Sequence, residues 1–237
     1  MHSFMCLVVH MGIYRFRTSR VYQGIFWALR RGVLPFASAV FLLWLGAVAA
    51  NHFLFNVADS AGAFCHETNK SDIQSLEKAK AGEQATAKLL FKASDLCFAT
   101  GVLVEKGAKY SVTITVPQQP KFADGTFATT PSGFKTAELP HWWMKLAMVA
   151  TMPMRRVIFR RWFTVIARIG PTGVYEDFLD PVRVDGTQNV YRGSTQKAQR
   201  SGELFLYVNE AVVALPWITD VLYRNNKGEA QVVIRRL

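Results

Sequence analysis

Eighteen consecutive residues without a charge, Val33 to Ala50, constrain this chain more than any other stretch of its sequence. At about 1.5 Å of rise per residue, a helix of this length approaches the roughly 30 Å of a bilayer's hydrocarbon core. Phe53, Leu54 and Phe55 lengthen the apolar run if the helix is tilted. We therefore predict a transmembrane helix over residues 32–55.

The charges on either side of this helix predict its orientation. Five arginines precede it with no acidic residue among them: Arg15, Arg17, Arg20, Arg30 and Arg31. The first acid on the far side is Asp59. Because basic flanks stay in the cytoplasm, residues 1–31 are predicted to form a basic cytoplasmic segment, and everything after about residue 55 to be exported. The predicted location is a bacterial inner membrane, crossed once, with the C-terminal domain in the periplasm.

A cleaved signal peptide is the alternative interpretation of the same segment. Ala47-Val48-Ala49 supplies the small residues that a cleavage site needs. However, the basic region before it and the apolar run are both longer than in a usual signal peptide. This favours an uncleaved signal anchor.

The formal net charge of +11 does not indicate a nucleic-acid-binding protein. Five of the arginines are explained by membrane topology, and exported domains rarely meet nucleic acid. Part of the remaining excess lies in Arg155, Arg156, Arg160 and Arg161, which are interleaved with apolar residues. Such a mixture suits anionic lipid head groups or an acidic protein partner. A solvated helix face or loop is the alternative.

The chain has three cysteines, of which two are predicted to be exported. Cys6 lies on the cytoplasmic side of the predicted helix, so only Cys65 and Cys97 share an oxidising compartment. We predict a disulfide between these two residues. Two separate buried thiols are the alternative.

The exported part is predicted to be mainly β. Residues 56–82 indicate a linker with a short helix that begins at a capping-box pattern, Ser71 and Gln74. From residue 83, short segments with a period of two are separated by Gly- and Pro-rich turns, which predicts an antiparallel β-sandwich over residues 83–237. The two strands around Glu105-Lys106-Gly107 are predicted to form a hairpin, and residues 117–137 a long loop with little regular structure.

A helical insertion is predicted at about residues 138–161. Trp142 and Leu146 repeat at helical spacing, and Trp143 and several methionines make other sides of the helix apolar. Pro153 should end or bend the helix. So much apolar surface requires a neighbour, which is the core, the bilayer or another protein. Together with the four arginines, the two tryptophans are candidate contacts to a partner or membrane.

Four segments of the exported part resemble a known superfamily in their order and spacing. They are TGVLVEKGAKYSVTITV, FTVIARIG, GELFLYVNE and YRNNKGEAQVVI. Over about residues 83–236, with the helical insertion outside it, the chain resembles the galactose-binding-like β-sandwich superfamily, in particular the small calcium-dependent galactophilic lectins of bacteria. The resemblance implies a jelly-roll-like sandwich.

The resemblance also implies a calcium site that takes sugar hydroxyls. Its acid would be Glu210, its loop carbonyl would lie near Leu222, and its amides would be Asn225 and Asn226. Oxygen ligands of this kind suit a hard cation. With a single carboxylate the affinity would be low unless Asp220 contributes.

The chain departs from the lectin pattern at this site. Glutamate replaces aspartate, the loop that contains Pro216-Trp217 is longer, and the sugar-contacting His and Asp have no counterpart before FTVIARIG. Asn and Gly also accept positive φ, so Asn225-Asn226-Lys227-Gly228 is good turn chemistry. An ordinary turn, a cation site and a sugar site are the three interpretations.

The sequence contains no clear catalytic constellation. Only His66 and His141 are on the exported side, and neither has the spacing of a metal ligand. Four acids lie close together in one segment: Glu176, Asp177, Asp180 and Asp185. Two of them could supply the pair of carboxylates that a glycosidase uses. A solvated acidic loop is the favoured interpretation, and we predict that the protein is not an enzyme.

Two functions are therefore considered. The first is a membrane-anchored, periplasm-facing β-sandwich that acts as a non-catalytic adaptor or accessory subunit of a membrane complex. The alternative is a calcium-dependent, lectin-like carbohydrate-binding protein of the envelope. The expected partners are a membrane protein complex or lipid surface, with a glycan under the alternative and no nucleic acid. Calcium is the one cofactor that the resemblance admits.

Overall fold

The structure is a computed structural model that divides into two units, residues 1–50 and 51–237, which are described separately. It describes residues 20–76, 86–117, 122–172, 176–177, 179–195, 197–215 and 219–237. The predicted cytoplasmic residues 1–19, as well as Ala85, Pro216 and Trp217, lie outside this range.

The first described elements are helical. They are α1 (Arg20–Ala28), a π-helical turn (Leu29–Val33) and α2 (Leu34–Ser60), which form one run of 41 residues. Most of its large apolar side chains are exposed, as for Phe36 (73%) and Leu43 (74%), whereas Phe55 is buried. By length and composition, this run qualifies as a membrane span or as a signal sequence.

The short helix predicted after Ser71 is wrong for the described residues 73–76. A 3-10 turn, Lys70–Asp72, is followed by a strand, β1 (Gln74–Ser75), which pairs in parallel with residues 102–103. Ser71 Oγ donates to Asp72 Oδ1 at 3.2 Å and caps no helix. Leu76 is fully buried, so burial of its side chain outweighs the local capping pattern.

One large sheet has six strands. In spatial order they are β1, β3 (Phe98–Val104), β12 (Gly202–Val208), β8 (Trp162–Ile169) and β7 (Ser132–Phe134), with β9 (Glu176–Asp177) also beside β8. Every pair except β1 with β3 is antiparallel.

The second large sheet has five antiparallel strands. In spatial order they are β10 (Val182–Arg183), β11 (Val190–Ser194), β4 (Tyr110–Thr115), β13 (Glu229–Arg236) and β2 (Leu89–Lys92). Leu206 from the first sheet and Ile114 and Val232 from the second belong to one apolar core. The two sheets thus share their interior, as the layers of a β-sandwich do.

The hairpin predicted around Glu105-Lys106-Gly107 is wrong, because β3 and β4 lie in different sheets. Two backbone N–H groups of this turn bond to the distant segment 198–201 instead. Lys106 N donates to Ser201 Oγ at 3.0 Å, and Gly107 N donates to Ala198 O at 2.8 Å. Alternation predicts which face of a strand is buried, but it does not specify the neighbouring strand.

Residues 117–137 contain more regular structure than predicted. Their described part includes a two-stranded ribbon, β5 (Ala123–Asp124) and β6 (Phe127–Ala128), as well as β7. Gly133 in β7 has a φ of +70°, and a Cβ there would lie 2.2 Å from the carbonyl oxygen of Trp162. Only glycine permits this close approach of two backbones.

The predicted helical insertion is shorter than its predicted range. A 3-10 turn (Thr136–Glu138) precedes α3 (Trp142–Thr151), and a second 3-10 turn (Met152–Met154) follows. Residues 155–161 form a loop. Met144 and Met148 of α3 pack against the core.

A disulfide joins Cys65 to Cys97, whose Cα atoms are 5.3 Å apart. The bridge links the segment after α2 to the start of β3. Cys65 is almost fully buried.

We expect the Cys97→Ser variant to unfold with a free energy roughly 3–4 kcal/mol lower than the wild type, since the bridge closes a separation of 32 residues. Urea unfolding under oxidising conditions measures the difference. Cys6→Ser, outside the 51–237 unit, is the matched control. An equal loss in both variants would contradict a stabilising bridge.

Candidate functional site

Four oxygen-bearing side chains are the candidate ligands of this region: Asp124 and Glu210, whose charges interact, and Asn225 and Asn226; we call them the oxygen cluster. Asp124 lies in β5, Glu210 follows β12, and the asparagines end the 3-10 turn before β13. Ala123 and Lys227 exchange two backbone hydrogen bonds of 2.9 Å, which bring β5 beside the asparagine turn. The structure therefore places Asp124 near Glu210 and Asn225 beside the turn that contains Gly125.

Glu210 is a buried carboxylate with an unused oxygen. Its side chain is 5% exposed, and its Oε1 accepts a hydrogen bond from Ala211 N at 2.9 Å. Its Oε2 has no hydrogen-bond partner in the described part of the chain. Burial, followed by the nearby charge of Asp124, raises the pKa of Glu210 to about 8. The positive charge of the buried Arg155 acts against this rise.

Asp124 is the second carboxylate of the oxygen cluster. Burial raises its pKa above the usual range for aspartate. Sequence reasoning missed it, because Asp before Gly125 is ordinary turn chemistry. Asp220, which the sequence offered as the second acid, points elsewhere: it is exposed and forms an ion pair with Arg224 at 2.8 Å. That ion pair lowers the pKa of Asp220.

The two asparagines differ in exposure. Asn226 is buried; its Nδ2 donates to Ala93 O at 3.2 Å, and its Oδ1 has no hydrogen-bond partner among the described residues. Asn225 is exposed, and a Cβ built on Gly125 would lie 3.6 Å from its Nδ2. The buried Tyr223, which precedes the asparagines, donates its hydroxyl to Val208 O at 2.8 Å. This hydrogen bond attaches the asparagine turn to the end of β12.

The oxygen cluster contains the ligand types that a hard cation takes. Buried acceptor oxygens usually have donors, yet Glu210 Oε2 and Asn226 Oδ1 have none among the described residues. Two neighbouring carboxylates with raised pKa values also favour an added positive charge. In the part of the chain that the structure describes, no group of three His, Cys, Asp or Glu residues could hold a metal. A cation here would therefore depend on amide and backbone oxygens as well, and calcium accepts such ligands.

The prediction of a surface contact is corrected for Arg155 and Arg156, which are both buried. The Arg155 guanidinium donates to the carbonyls of Ile158 and Arg160. Arg156 donates to Leu96 O at 2.8 Å and stacks 3.7 Å above the Tyr207 ring. Carbonyls and an aromatic ring replace water around both cations, which an interleaved sequence pattern does not reveal.

The remaining predicted contact residues are more accessible. Arg160 is half-buried and pairs with Asp180 at 2.8 Å, whereas Arg161 is exposed. Trp142 and Trp143 on α3 are 75% and 57% exposed. Exposure makes these residues available to a partner without identifying one.

A buried charge cluster joins the end of α2 to the six-stranded sheet. Asp59 Oδ1 accepts from Arg168 Nη1 at 2.7 Å and lies 3.5 Å from Arg156 Nη2. Tyr207 donates its hydroxyl to Glu176. Burial raises the pKa of Glu176, while the two arginines act against this effect. Sequence reasoning missed this cluster because Asp59 lies 109 residues from Arg168 along the chain.

The described acids of the predicted 176–185 cluster are dispersed. Glu176 is occupied by Tyr207, whereas Asp180 and Asp185 are exposed.

No family model and no curated protein sequence matches the chain. Among solved structures, the chain is similar to one described as the EclA N-terminal domain, a PllA-like lectin, at a TM-score of 0.41 and 16% identity. The similarity covers 66% of this chain and 100% of that one.

Proposed function

We propose that this chain is a non-catalytic binding protein of a bacterial inner membrane, anchored by α2, whose periplasmic sandwich holds a calcium ion in the oxygen cluster. Through the ion it would bind a hydroxyl-rich ligand such as a glycan. The observation that carries the proposal is the buried Glu210, with an unused oxygen beside a second carboxylate. The exposed Asn225 offers an approach for ligand hydroxyls.

The anchoring and the compartment are supported by other features. The uncharged segment of α2 is preceded by arginines, which stay in the cytoplasm. The bridge between Cys65 and Cys97 suits an oxidising compartment such as the periplasm. Both features fit a sandwich exported across the inner membrane.

We expect calcium to stabilise the full-length protein in detergent. At a hundredfold excess over its Kd, a ligand that binds only the folded state raises the free energy of unfolding by about 2.7 kcal/mol. Glu210→Gln should abolish this gain, because it removes the carboxylate charge while preserving shape. The measurement is urea unfolding with calcium and with chelator.

Asp220→Asn is the matched control, since Asp220 is an exposed acid paired with Arg224 outside the oxygen cluster. It should keep the full response to calcium. If the wild type gains no stability from calcium, the cation site is refuted. A second measurement is retention of the protein on a glycan column. Retention that persists with chelator would refute only the role of the ion in ligand binding.

The accessory-subunit hypothesis stays a prediction. Gentle detergent extraction followed by mass spectrometry tests it. A membrane protein that co-purifies in stoichiometric amount, with or without chelator, would support it, and recovery of the chain alone would count against it.

A further inference from the structure

We propose that the exposed apolar face of α3, together with Phe159, lies on the lipid bilayer beside the point where α2 leaves it. This surface, which we call the apolar platform, consists of Trp142, Trp143, Leu146, Val149 and Phe159. The inference rests on the proposed crossing of the membrane by α2, and it adds a second contact with the same membrane.

The apolar platform carries large side chains that a helix facing only water would not need. Trp142 is 75% exposed, Leu146 60% and Phe159 97%. The opposite side of α3 is already occupied, because Met144 and Met148 pack against the core. The helix therefore binds the sandwich with one side and presents a second apolar side outward, which is typical of an interaction surface.

The contacts of α2 within the 51–237 unit place the apolar platform near the end of the spanning segment. His52 donates to the carbonyl of Pro153, which lies in the 3-10 turn after α3. Asn51 Nδ2 donates to Val212 O at 2.9 Å, and Val212 N donates to Met154 O at 3.0 Å. The C-terminal end of α3 is thus tied to the residues that follow the uncharged segment.

The surface of α2 remains apolar at this level. Phe53 and Leu54, in the same turn as His52, are 68% and 50% exposed. Phe55, by contrast, is buried in the core of the sandwich. One side of this turn therefore faces the protein and the other suits lipid, as expected where a spanning helix enters a domain at the bilayer surface.

The residue types favour lipid over a protein partner. Between Leu139 and Tyr175 the sequence has no acidic residue. Of its six lysines and arginines, Arg155, Arg156 and Arg168 are buried and Arg160 pairs with Asp180, so Lys145 and Arg161 are the candidates for contact with lipid. Lys145 lies on α3 itself, and Arg161 is exposed two residues after Phe159. Tryptophan settles at the level of lipid head groups, and nearby cations reach their phosphates. The apolar platform combines both features of an interfacial helix.

The exposed Phe159 lies in a loop whose backbone carbonyls accept hydrogen bonds from buried side chains. The buried Arg155 donates to the carbonyl of Ile158. Asn209, fully buried at the end of β12, donates its Nδ2 to Arg161 O at 3.0 Å. Because the loop is already ordered, insertion of the phenylalanine costs little further conformational entropy.

The test uses the full-length protein with Cys6→Ser, reconstituted into vesicles of phosphatidylethanolamine and phosphatidylglycerol. A nitroxide label is attached at Leu146→Cys, and in a second variant at Val149→Cys. Its collision rates with oxygen, which concentrates in lipid, and with a water-soluble nickel complex are then compared. Two variants serve as matched controls. Val182→Cys is an exposed apolar position in β10 of the five-stranded sheet, and Leu42→Cys lies in α2.

We expect the oxygen-to-nickel ratio at positions 146 and 149 to be several-fold higher than at position 182. A water-like ratio at both positions, with a lipid-like ratio at position 42, would overturn the inference and leave the anchor intact. A water-like ratio at position 42 would refute the crossing by α2 itself. In native membranes, protection of position 146 from both reagents would show that a protein covers the platform, and would equally overturn the inference.

Discussion

Replacement of Asp59 by asparagine should lower the free energy of unfolding of the 51–237 unit by about 3–5 kcal/mol. The carboxylate is the nearest counter-charge of two buried cations, Arg168 at 2.7 Å and Arg156 at 3.5 Å. Their side chains are 0% and 1% exposed, so water cannot replace it. The melting temperature should fall by roughly 10 °C for a domain of this size. Chemical denaturation in detergent measures the loss.

Asp180→Asn makes the same chemical change in an exposed pair. Asp180 lies 2.8 Å from Arg160, but its side chain is 66% exposed. Such pairs contribute about 0–1 kcal/mol, so this variant should remain close to the wild type. Equal losses in the two variants would show that the buried charges are not held by Asp59.

The buried cluster has a consequence for function. Asp59 belongs to the last turn of α2, whereas Arg168 lies in β8 at the centre of the six-stranded sheet. With the hydrogen bonds of Asn51 to residues 212 and 214, it fixes the sandwich firmly to the last turns of the helix. The connection ties the sandwich that carries α3 to those turns.

Strongly periodic segments could be predicted from the sequence alone. The segments FTVIARIG and GELFLYVNE and the end of YRNNKGEAQVVI correspond to β8, β12 and β13. In β13, buried Ala230, Val232 and Ile234 alternate with more exposed residues. Alternation of this kind is a local signal that burial of one face imposes on the sequence. The uncharged run likewise corresponds to α2.

Contacts between distant residues could not be predicted in this way. No local pattern shows that β3 and β4 belong to different sheets, or that Asp124 lies beside Glu210. Arg155 and Arg156 have the sequence signature of an exposed basic patch, yet the carbonyls and rings that bury them come from the tertiary fold. The resemblance implied Glu210 and the two asparagines as ligands. The second carboxylate, Asp124, comes near Glu210 only through the tertiary fold.

Calcium affinity should depend steeply on pH, because Glu210 must lose its proton to serve as a ligand. Its pKa is raised to about 8, so below that pH the affinity should fall by about tenfold per unit. Above about pH 8 the affinity should be constant. Titration calorimetry between about pH 6 and pH 9 measures this slope, and near pH 7 about one proton should be released per ion bound.

The stability of the calcium-free protein should change with pH in the opposite sense. Folded Glu210 binds its proton more tightly than the unfolded chain, whose pKa stays near 4.5, so the free energy of unfolding should fall as pH rises from 4.5 to about 8. Saturating calcium should remove this dependence, because the bound ion keeps Glu210 ionised. Asp220→Asn should retain both effects, whereas Glu210→Gln should lose both. Calcium binding that is independent of pH in the wild type would mean that the ion is held without Glu210, and the oxygen cluster would then have to be assigned to different ligands.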